Sequence, residues 1–130
     1  MKLKIFLLTV LLYIQTIVAS AANIPLMPVS DLQPGMHGVG KTVIQGDTIE
    51  DFNVEIIGVT GKETTGYSIL VRLYGDLIDK TGGVAQGMSG SPVYIDGRLV
   101  GAVAYGRSFN DPHYCFLTPI GSMLNFTSLS

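Results

Sequence analysis

The clearest structural signals of the chain lie in one stretch, Lys80-Thr81-Gly82-Gly83-Val84-Ala85-Gln86-Gly87-Met88-Ser89-Gly90-Ser91-Pro92-Val93-Tyr94-Ile95-Asp96-Gly97-Arg98-Leu99-Val100-Gly101. A glycine-rich loop leads into an apolar strand, a two-residue turn and a second apolar strand. Asp96-Gly97 predicts a type I′ turn, because both central positions of such a turn need positive φ. The stretch therefore predicts a β-hairpin preceded by a loop in which Ser89 stands between glycines.

Two further segments alternate between apolar and polar residues, which is the period of a strand with one face on a core. They run through Phe52-Asn53-Val54-Glu55-Ile56 and Ser68-Ile69-Leu70-Val71-Arg72-Leu73. The polar connection from Gly61 to Gly66 makes a hairpin-like pairing of the two plausible. Helical character is expected only for one turn at Asp76–Lys80 and a short closing turn at Ile120–Leu124. The predicted fold class is all-β, a small barrel.

The length and net charge of the chain limit which classes of function are possible. The chain has 130 residues, enough for one modest domain, a formal net charge of −2 and an isoelectric point near 5.5. No excess of Lys and Arg is available to neutralise phosphates, so nucleic acid is not an expected partner. Cys115 is the single cysteine, so no internal disulfide can form and stability must come from the core.

The first residues have the pattern of a secretory signal peptide. Lys2 and Lys4 precede an apolar stretch from Ile5 to Val18, and small residues follow at Ala19-Ser20-Ala21-Ala22. The alternative, a membrane anchor, is disfavoured because the stretch falls short of the ~20 residues that a spanning helix needs. We expect residues 1–21 to be removed, leaving 22–130 as an exported mature domain, in the cell envelope or outside the cell, with no stable membrane span.

The pattern Gly-Met-Ser-Gly-Ser-Pro, an apolar strand and Asp-Gly-Arg-Leu-Val-Gly resembles the nucleophile loop and following hairpin of chymotrypsin-like serine peptidases. A closer resemblance, covering roughly Met27 to Leu124, is to the SpoIVB-type serine peptidases of bacteria. Its motifs appear here in order as Pro34-Gly35-Met36 with Gly38, the strand Ile49–Gly58, the signature Thr81–Pro92, and the closing Thr118-Pro119-Ile120 with Met123-Leu124.

This resemblance implies a chymotrypsin-like β-barrel, incomplete relative to a two-barrel peptidase, that acts on a protein substrate without a cofactor or metal. Ser89 falls at the nucleophile position, and the amides of Gly87 and Ser89 would stabilise the tetrahedral oxyanion. For a bare Gly-x-Ser-Gly an ordinary glycine-rich turn would be the better interpretation. The flanking family pattern favours the nucleophile.

The base and the acid of a triad are not supplied by the same resemblance. The family's histidine sits in a glycine-preceded context that neither His37 nor His113 matches, and Tyr74 falls where the sporulation peptidase has its aspartate. Asp76 and Asp79 lie close by in sequence and are the remaining candidates for the acid. We therefore expect a truncated or partial member that carries the nucleophile half of a site and is inactive by itself.

Other readings are weaker. Gly35–Thr42 fits the phosphate-binding pattern Gly-x-x-x-x-Gly-Lys-Thr, but that loop needs a following helix and the sequence here predicts a strand and a turn. His113 and Cys115 alone make no metal site, and Asn125-Phe126-Thr127 is a short glycosylation pattern. The rival to a peptidase is a non-catalytic exported β-domain that binds peptides or a partner protein along an open strand edge.

Overall fold

The computed structural model describes residues 24–105 and 109–123. The predicted signal peptide at residues 1–21 and the glycosylation tripeptide at Asn125 lie outside these ranges. Cleavage and export therefore stay predictions.

Six antiparallel strands close into one barrel in the order β1-β2-β3-β6-β5-β4. This confirms the predicted all-β class and the small chymotrypsin-like barrel. One short helix, α1, follows β3, and 3-10 turns cover Val29–Asp31 and Gln86–Met88. The strands are β1 (His37–Val43), β2 (Ile49–Lys62), β3 (Gly66–Tyr74), β4 (Pro92–Ile95), β5 (Arg98–Ala104) and β6 (Tyr114–Pro119), and α1 is Asp76–Thr81.

The barrel interior is filled by the inward-facing apolar side chains of β2 to β6. The alternation seen in the sequence points Val54 and Ile56 of β2 and Val71 of β3 inward, each with 0% exposure. Ile78 of α1 is also fully buried. Burial of a branched side chain of this size stabilises the fold by about 1.5–3 kcal/mol, so these strands supply much of the driving force in a domain without a disulfide.

Both predicted hairpins are present. β2 and β3 pair from Asn53↔Tyr74 to Lys62↔Gly66, with one register shift between Ile56 and Gly58. β4 and β5 meet at Ile95↔Arg98, and the turn between them has φ +50° at Asp96 and +75° at Gly97. Two successive residues with positive φ define the type I′ turn that Asp-Gly predicted.

Closure of the barrel depends on β1, which pairs with β2 along its whole length and with β4 only at Val39↔Tyr94 and Gly40↔Val93. Gly40 lies opposite Phe52, and a Cβ at residue 40 would overlap the Phe52 ring. The ring therefore covers the inner face of β1 at the closing pair. The last residues of β1, Lys41–Val43, do not pair with β4. Their free edge faces the loop that precedes β4.

The phosphate-binding reading of Gly35–Thr42 fails on local structure. His37–Val43 is strand β1, and residues 44–48 form a turn into β2 without a helix. A phosphate loop needs the N-terminus of a following helix to hold the anion. The expected helical turns do occur, as α1 and as the helical residues 120–123. Within the described ranges no helix is long and apolar enough to span a membrane.

Candidate active site

The loop from Gly82 to Ser91 carries Ser89 and is fixed to the barrel at its start. α1 ends at Thr81, whose hydroxyl donates to the Gly83 carbonyl at 2.6 Å, and the Val84 amide donates to the Pro112 carbonyl at 2.8 Å. Gly83 is packed against Pro112 so closely that a Cβ at residue 83 would collide with it. Gly82 therefore follows α1, and Gly83 permits close contact with the segment before β6.

The end of the loop is held by β5 and by one buried side chain. Gly90 donates its amide to the Val103 carbonyl at 2.8 Å, and Val103 donates to the Ser91 carbonyl at 2.9 Å. Met88 is fully buried while its neighbours Gly87 and Ser89 are exposed. The Met88 side chain thus anchors the loop in the core, and Ser89 stands at the surface on a sharp turn.

Of the two amides predicted to stabilise an oxyanion, that of Gly87 lies in the 3-10 turn at Gln86–Met88 and that of Ser89 directly follows it. The Met88 amide donates to the Ala85 carbonyl at 3.0 Å, and the Ser89 amide donates to the Gln86 carbonyl at 3.2 Å. One of the two donors is therefore already engaged within the loop. The roles of Ser89 as nucleophile and of Gly87 and Ser89 as oxyanion donors stay predictions.

Ser89 opens into a groove of about 500 Å³ on the outer face of the barrel. One wall is the Ser89 loop and the other is the part of β1 that extends beyond its pairing with β4. Val43 and Ile49 are 43% and 66% exposed, so the groove has an apolar side. The lining residues are Lys41, Thr42, Val43, Ile49, Gly87, Ser89, Gly90, Ser91, Pro92 and Tyr94.

Sequence reasoning did not find the β1 wall of this groove. Lys41 Nζ lies 3.1 Å from Asp51 Oδ1, so its terminal nitrogen is engaged in an ion pair on β2. Thr42 is 4% exposed and its Oγ1 has no hydrogen-bond partner among the described residues. The sequence of β1, in which Gly38 and Gly40 alternate with larger residues, does not tell which strand faces the serine.

His37 lies far from Ser89. It begins β1, whereas Thr42 and Val43 near the end of that strand line the serine groove, and five residues of strand span about 17 Å. The His37 Nδ1 is 2.8 Å from the Tyr74 hydroxyl, and the two rings meet edge to face. His37 and Tyr74 line a different cleft, shared with Asp96 and Gly97.

Tyr74 also contacts a charge pair. The Arg72 guanidinium carbon is 4.8 Å from the centre of the Tyr74 ring, and Arg72 donates to Glu55 Oε1 from Nε at 3.0 Å and from a terminal nitrogen at 2.9 Å. The residue at the family's aspartate position is thus part of a surface cluster with His37. Asp76 and Asp79 are exposed on α1, and neither lines the serine groove.

His113 forms a pair with Asp111 just before β6. Its Nδ1 is 2.7 Å from Asp111 Oδ1, and its backbone amide donates to the same oxygen at 2.9 Å. These hydrogen bonds, the backbone one foremost, lower the pKa of Asp111. The arrangement resembles a base with its orienting carboxylate, yet Asp111 lines a separate cavity of about 150 Å³ and His113 does not line the serine groove.

Cys115 is buried on β6, and burial raises the pKa of its thiol to about 12. A thiol that stays protonated is a poor nucleophile and a poor metal ligand. The described residues contain no group of three or more His, Cys, Asp or Glu side chains that could hold a metal ion.

The closed six-stranded antiparallel barrel is consistent with the small barrel of a chymotrypsin-like peptidase domain. The sequence profile of the family SpoIVB peptidase S55 matches residues 14–124. The chain belongs to this family, as the motifs from Pro34 to Leu124 predicted. No curated protein and no solved structure gives a significant match.

Proposed function

We propose that this chain is a serine endopeptidase domain that acts on a protein substrate outside the cytoplasm, with Ser89 as its nucleophile. The observation that carries the proposal is the position of Ser89. It is exposed beside the fully buried Met88 and opens into a groove of about 500 Å³. A nucleophile must be held rigidly at a surface that the substrate carbonyl can reach, and this loop meets that requirement.

The groove needs a proton acceptor that neither histidine supplies in this structure. His37 is bonded to Tyr74 on another part of the barrel, and His113 is paired with Asp111 outside the groove. A serine without a base within hydrogen-bond reach is a weak nucleophile. We infer that the base comes from polypeptide beyond this sequence or from a partner chain, and that the isolated chain is close to inactive.

Labelling with an alkyl fluorophosphonate tests both statements. The wild-type chain is compared with Ser89→Ala, His37→Ala and His113→Ala under identical conditions. We expect slow labelling that disappears only in Ser89→Ala, because the residual reactivity of a site without its triad partners is roughly 10³ to 10⁴ over water. Rapid labelling that one histidine substitution abolishes would show that the chain carries its own base. Unchanged labelling of Ser89→Ala would refute Ser89 as the nucleophile.

Export is the second part of the proposal and rests on the pattern of residues 1–21. Lys2 and Lys4, the apolar stretch and the small residues up to Ala22 match what a signal peptidase cleaves. Intact mass of the protein recovered from the envelope or the medium gives the cleavage site. A protein in that fraction that still begins at Met1 would contradict cleavage.

The alternative is a non-catalytic exported domain that binds peptides. One observation favours it: Lys41–Val43 extends past the β1–β4 pairing and borders the groove, which leaves a short strand edge beside Ser89. An extended peptide can add to such an edge through main-chain hydrogen bonds. Peptide binding that persists unchanged in Ser89→Ala, together with no fluorophosphonate labelling of the wild type, would favour binding over catalysis.

A further inference from the structure

One buried side chain in the Ser89 groove has no polar partner. Thr42 is 4% exposed, and its Oγ1 is the one buried side-chain nitrogen or oxygen without a hydrogen bond in the part of the chain that the structure describes. A buried hydroxyl that forms no hydrogen bond carries a desolvation cost, and native proteins hold few such groups. A valine of nearly the same shape would avoid this cost. The Thr42 hydroxyl therefore needs a partner that the free domain does not supply.

Thr42 lies where the last residues of β1 meet the Ser89 loop. It shares the inward face of β1 with Gly40, but it lies beyond the last residue pair between β1 and β4, which is Gly40↔Val93. Ser91 is the other buried polar residue of the described chain, at 6% exposure, and it lines the same groove as Thr42. Both buried hydroxyl residues of the described ranges thus belong to the groove into which Ser89 opens.

The surroundings of Thr42 favour a neutral partner. Val43 and Ile49 give the groove an apolar side, and the one charged residue among those that line it, Lys41, is paired with Asp51 on the outer face of the barrel. A charged group beside the Thr42 hydroxyl would lose its hydration without an opposite charge to compensate it. An apolar group would leave the hydroxyl unpaired. A neutral hydroxyl or carboxamide avoids both costs.

We propose that Thr42 determines specificity in the Ser89 groove, where its hydroxyl binds the hydroxyl or carboxamide of a substrate side chain. The substrate class is thus a peptide with serine, threonine, asparagine or glutamine at the position that meets Thr42. This inference rests on the proposed function, in which a protein substrate lies in the groove beside Ser89.

The chemistry of a threonine side chain suits this role. A hydroxyl donates and accepts, so Thr42 can pair with either class of polar group. Rotation about χ1 moves the hydroxyl among staggered positions, so it can follow a bound group without movement of β1. A site built to hydrogen-bond one side chain discriminates against an isosteric side chain without the polar group, because the buried hydroxyl then stays unpaired.

The thermal stability of the free domain tests whether the hydroxyl is unpaired. Thr42→Val removes it and keeps the shape of the side chain, so we expect the thermal midpoint to rise by about 4 °C. Thr81→Val is the matched control, because the Thr81 hydroxyl donates to the Gly83 carbonyl at 2.6 Å, and its midpoint should fall. A midpoint of Thr42→Val that is unchanged or lower would overturn the inference, since the hydroxyl would already have a partner.

Blocked alanine pentapeptides with one variable central residue test the substrate class. Alanine on both sides lets the peptide shift its register until the central side chain reaches Thr42. Threonine is compared with its isostere valine, and glutamine with glutamate, by NMR titration that follows the amides of Gly87 and Gly90. We expect the threonine peptide to bind roughly 3- to 10-fold more tightly than the valine peptide, the effect of one hydrogen bond. The glutamine peptide should bind more tightly than the glutamate peptide.

Variants show whether the preference depends on the Thr42 hydroxyl. In Thr42→Val the threonine and valine peptides should bind equally, whereas Thr42→Ser keeps the hydroxyl and should keep the preference. Thr118→Val, at an exposed residue of β6 outside the groove, should match the wild type. An unchanged preference in Thr42→Val, tighter binding of the glutamate peptide, or no binding of any of the four peptides would overturn the inference.

Failure of the proposed function gives a different result. Fluorophosphonate labelling of the wild type is measured on the same preparation. If Ser89 is not labelled while the peptides show the Thr42-dependent preference, the groove binds such side chains without catalysis, and only Ser89 as nucleophile is refuted. If Ser89 is labelled while the preference survives in Thr42→Val, the proposed function stands and the role of Thr42 is refuted.

Discussion

Replacement of Met88 by alanine tests whether this one side chain holds the Ser89 loop to the barrel. Met88 has 0% exposure and is among the largest fully buried side chains of the described residues. A truncation of this kind removes apolar contacts and leaves a cavity, which costs about 2–5 kcal/mol. A loss of about 3 kcal/mol corresponds to a drop of roughly 13 °C in the thermal midpoint of a domain of about 110 residues, because the unfolding entropy is about 2.1 cal/mol/K per residue. This loss is also a large share of the free energy of unfolding of a whole domain, which is typically about 5–15 kcal/mol.

The chain has no tryptophan, so urea unfolding is best followed by far-ultraviolet circular dichroism. Met88→Leu keeps the volume and should cost less than about 1.5 kcal/mol, while Ile49→Ala, at a residue 66% exposed, should change stability by less than about 0.5 kcal/mol. Unfolding free energies of Met88→Ala and wild type that agree within about 0.5 kcal/mol would refute the anchoring role. The positions of Gly87 and Ser89 would then depend on backbone hydrogen bonds alone.

Three further predictions concern the turn, a surface pair and the thiol. Gly97→Val should cost about 1–2 kcal/mol or more, because residue 97 has φ +75° and open space, so only backbone strain acts; an unchanged thermal midpoint would contradict this. The depressed pKa of Asp111 means that its contribution to stability is present above the unfolded pKa and is lost as pH falls through the lower folded pKa. The difference in stability between wild type and Asp111→Asn should therefore shrink once the pH falls through the folded pKa of Asp111, and a difference that persists unchanged under those conditions would contradict the hydrogen bonding to His113. Burial raises the pKa of the Cys115 thiol to about 12. At neutral pH this thiol should therefore react with a disulfide reagent only as fast as the protein unfolds. Immediate reaction of the native protein would contradict the burial of Cys115.

The sequence alone determined the features that depend on neighbours along the chain. Asp96-Gly97 set the hairpin turn because the required positive φ is a property of those two residues. The alternation around Val54 and Val71 set two strands and their buried faces, because side chains in a strand point to opposite sides in turn. The serine motif around Ser89 set the family, which the match over residues 14–124 confirmed.

The tertiary structure alone decided which distant residues meet. Closure of the barrel between β1 and β4 brings Lys41–Val43 to the Ser89 loop, about 45 residues further along the chain, and the sequence of β1 carries no information about that partner. The same closure puts His37 about 17 Å of strand away from the groove wall, although His37 precedes the serine in the order expected of a base.

The state of the oxyanion donors was likewise beyond the sequence. In the folded chain the Ser89 amide donates to the Gln86 carbonyl at 3.2 Å, so one of the two predicted oxyanion donors is engaged within the loop. Local propensity indicates that a turn occurs here, whereas the hydrogen bonds of this loop depend on how the folded barrel holds it through the buried Met88.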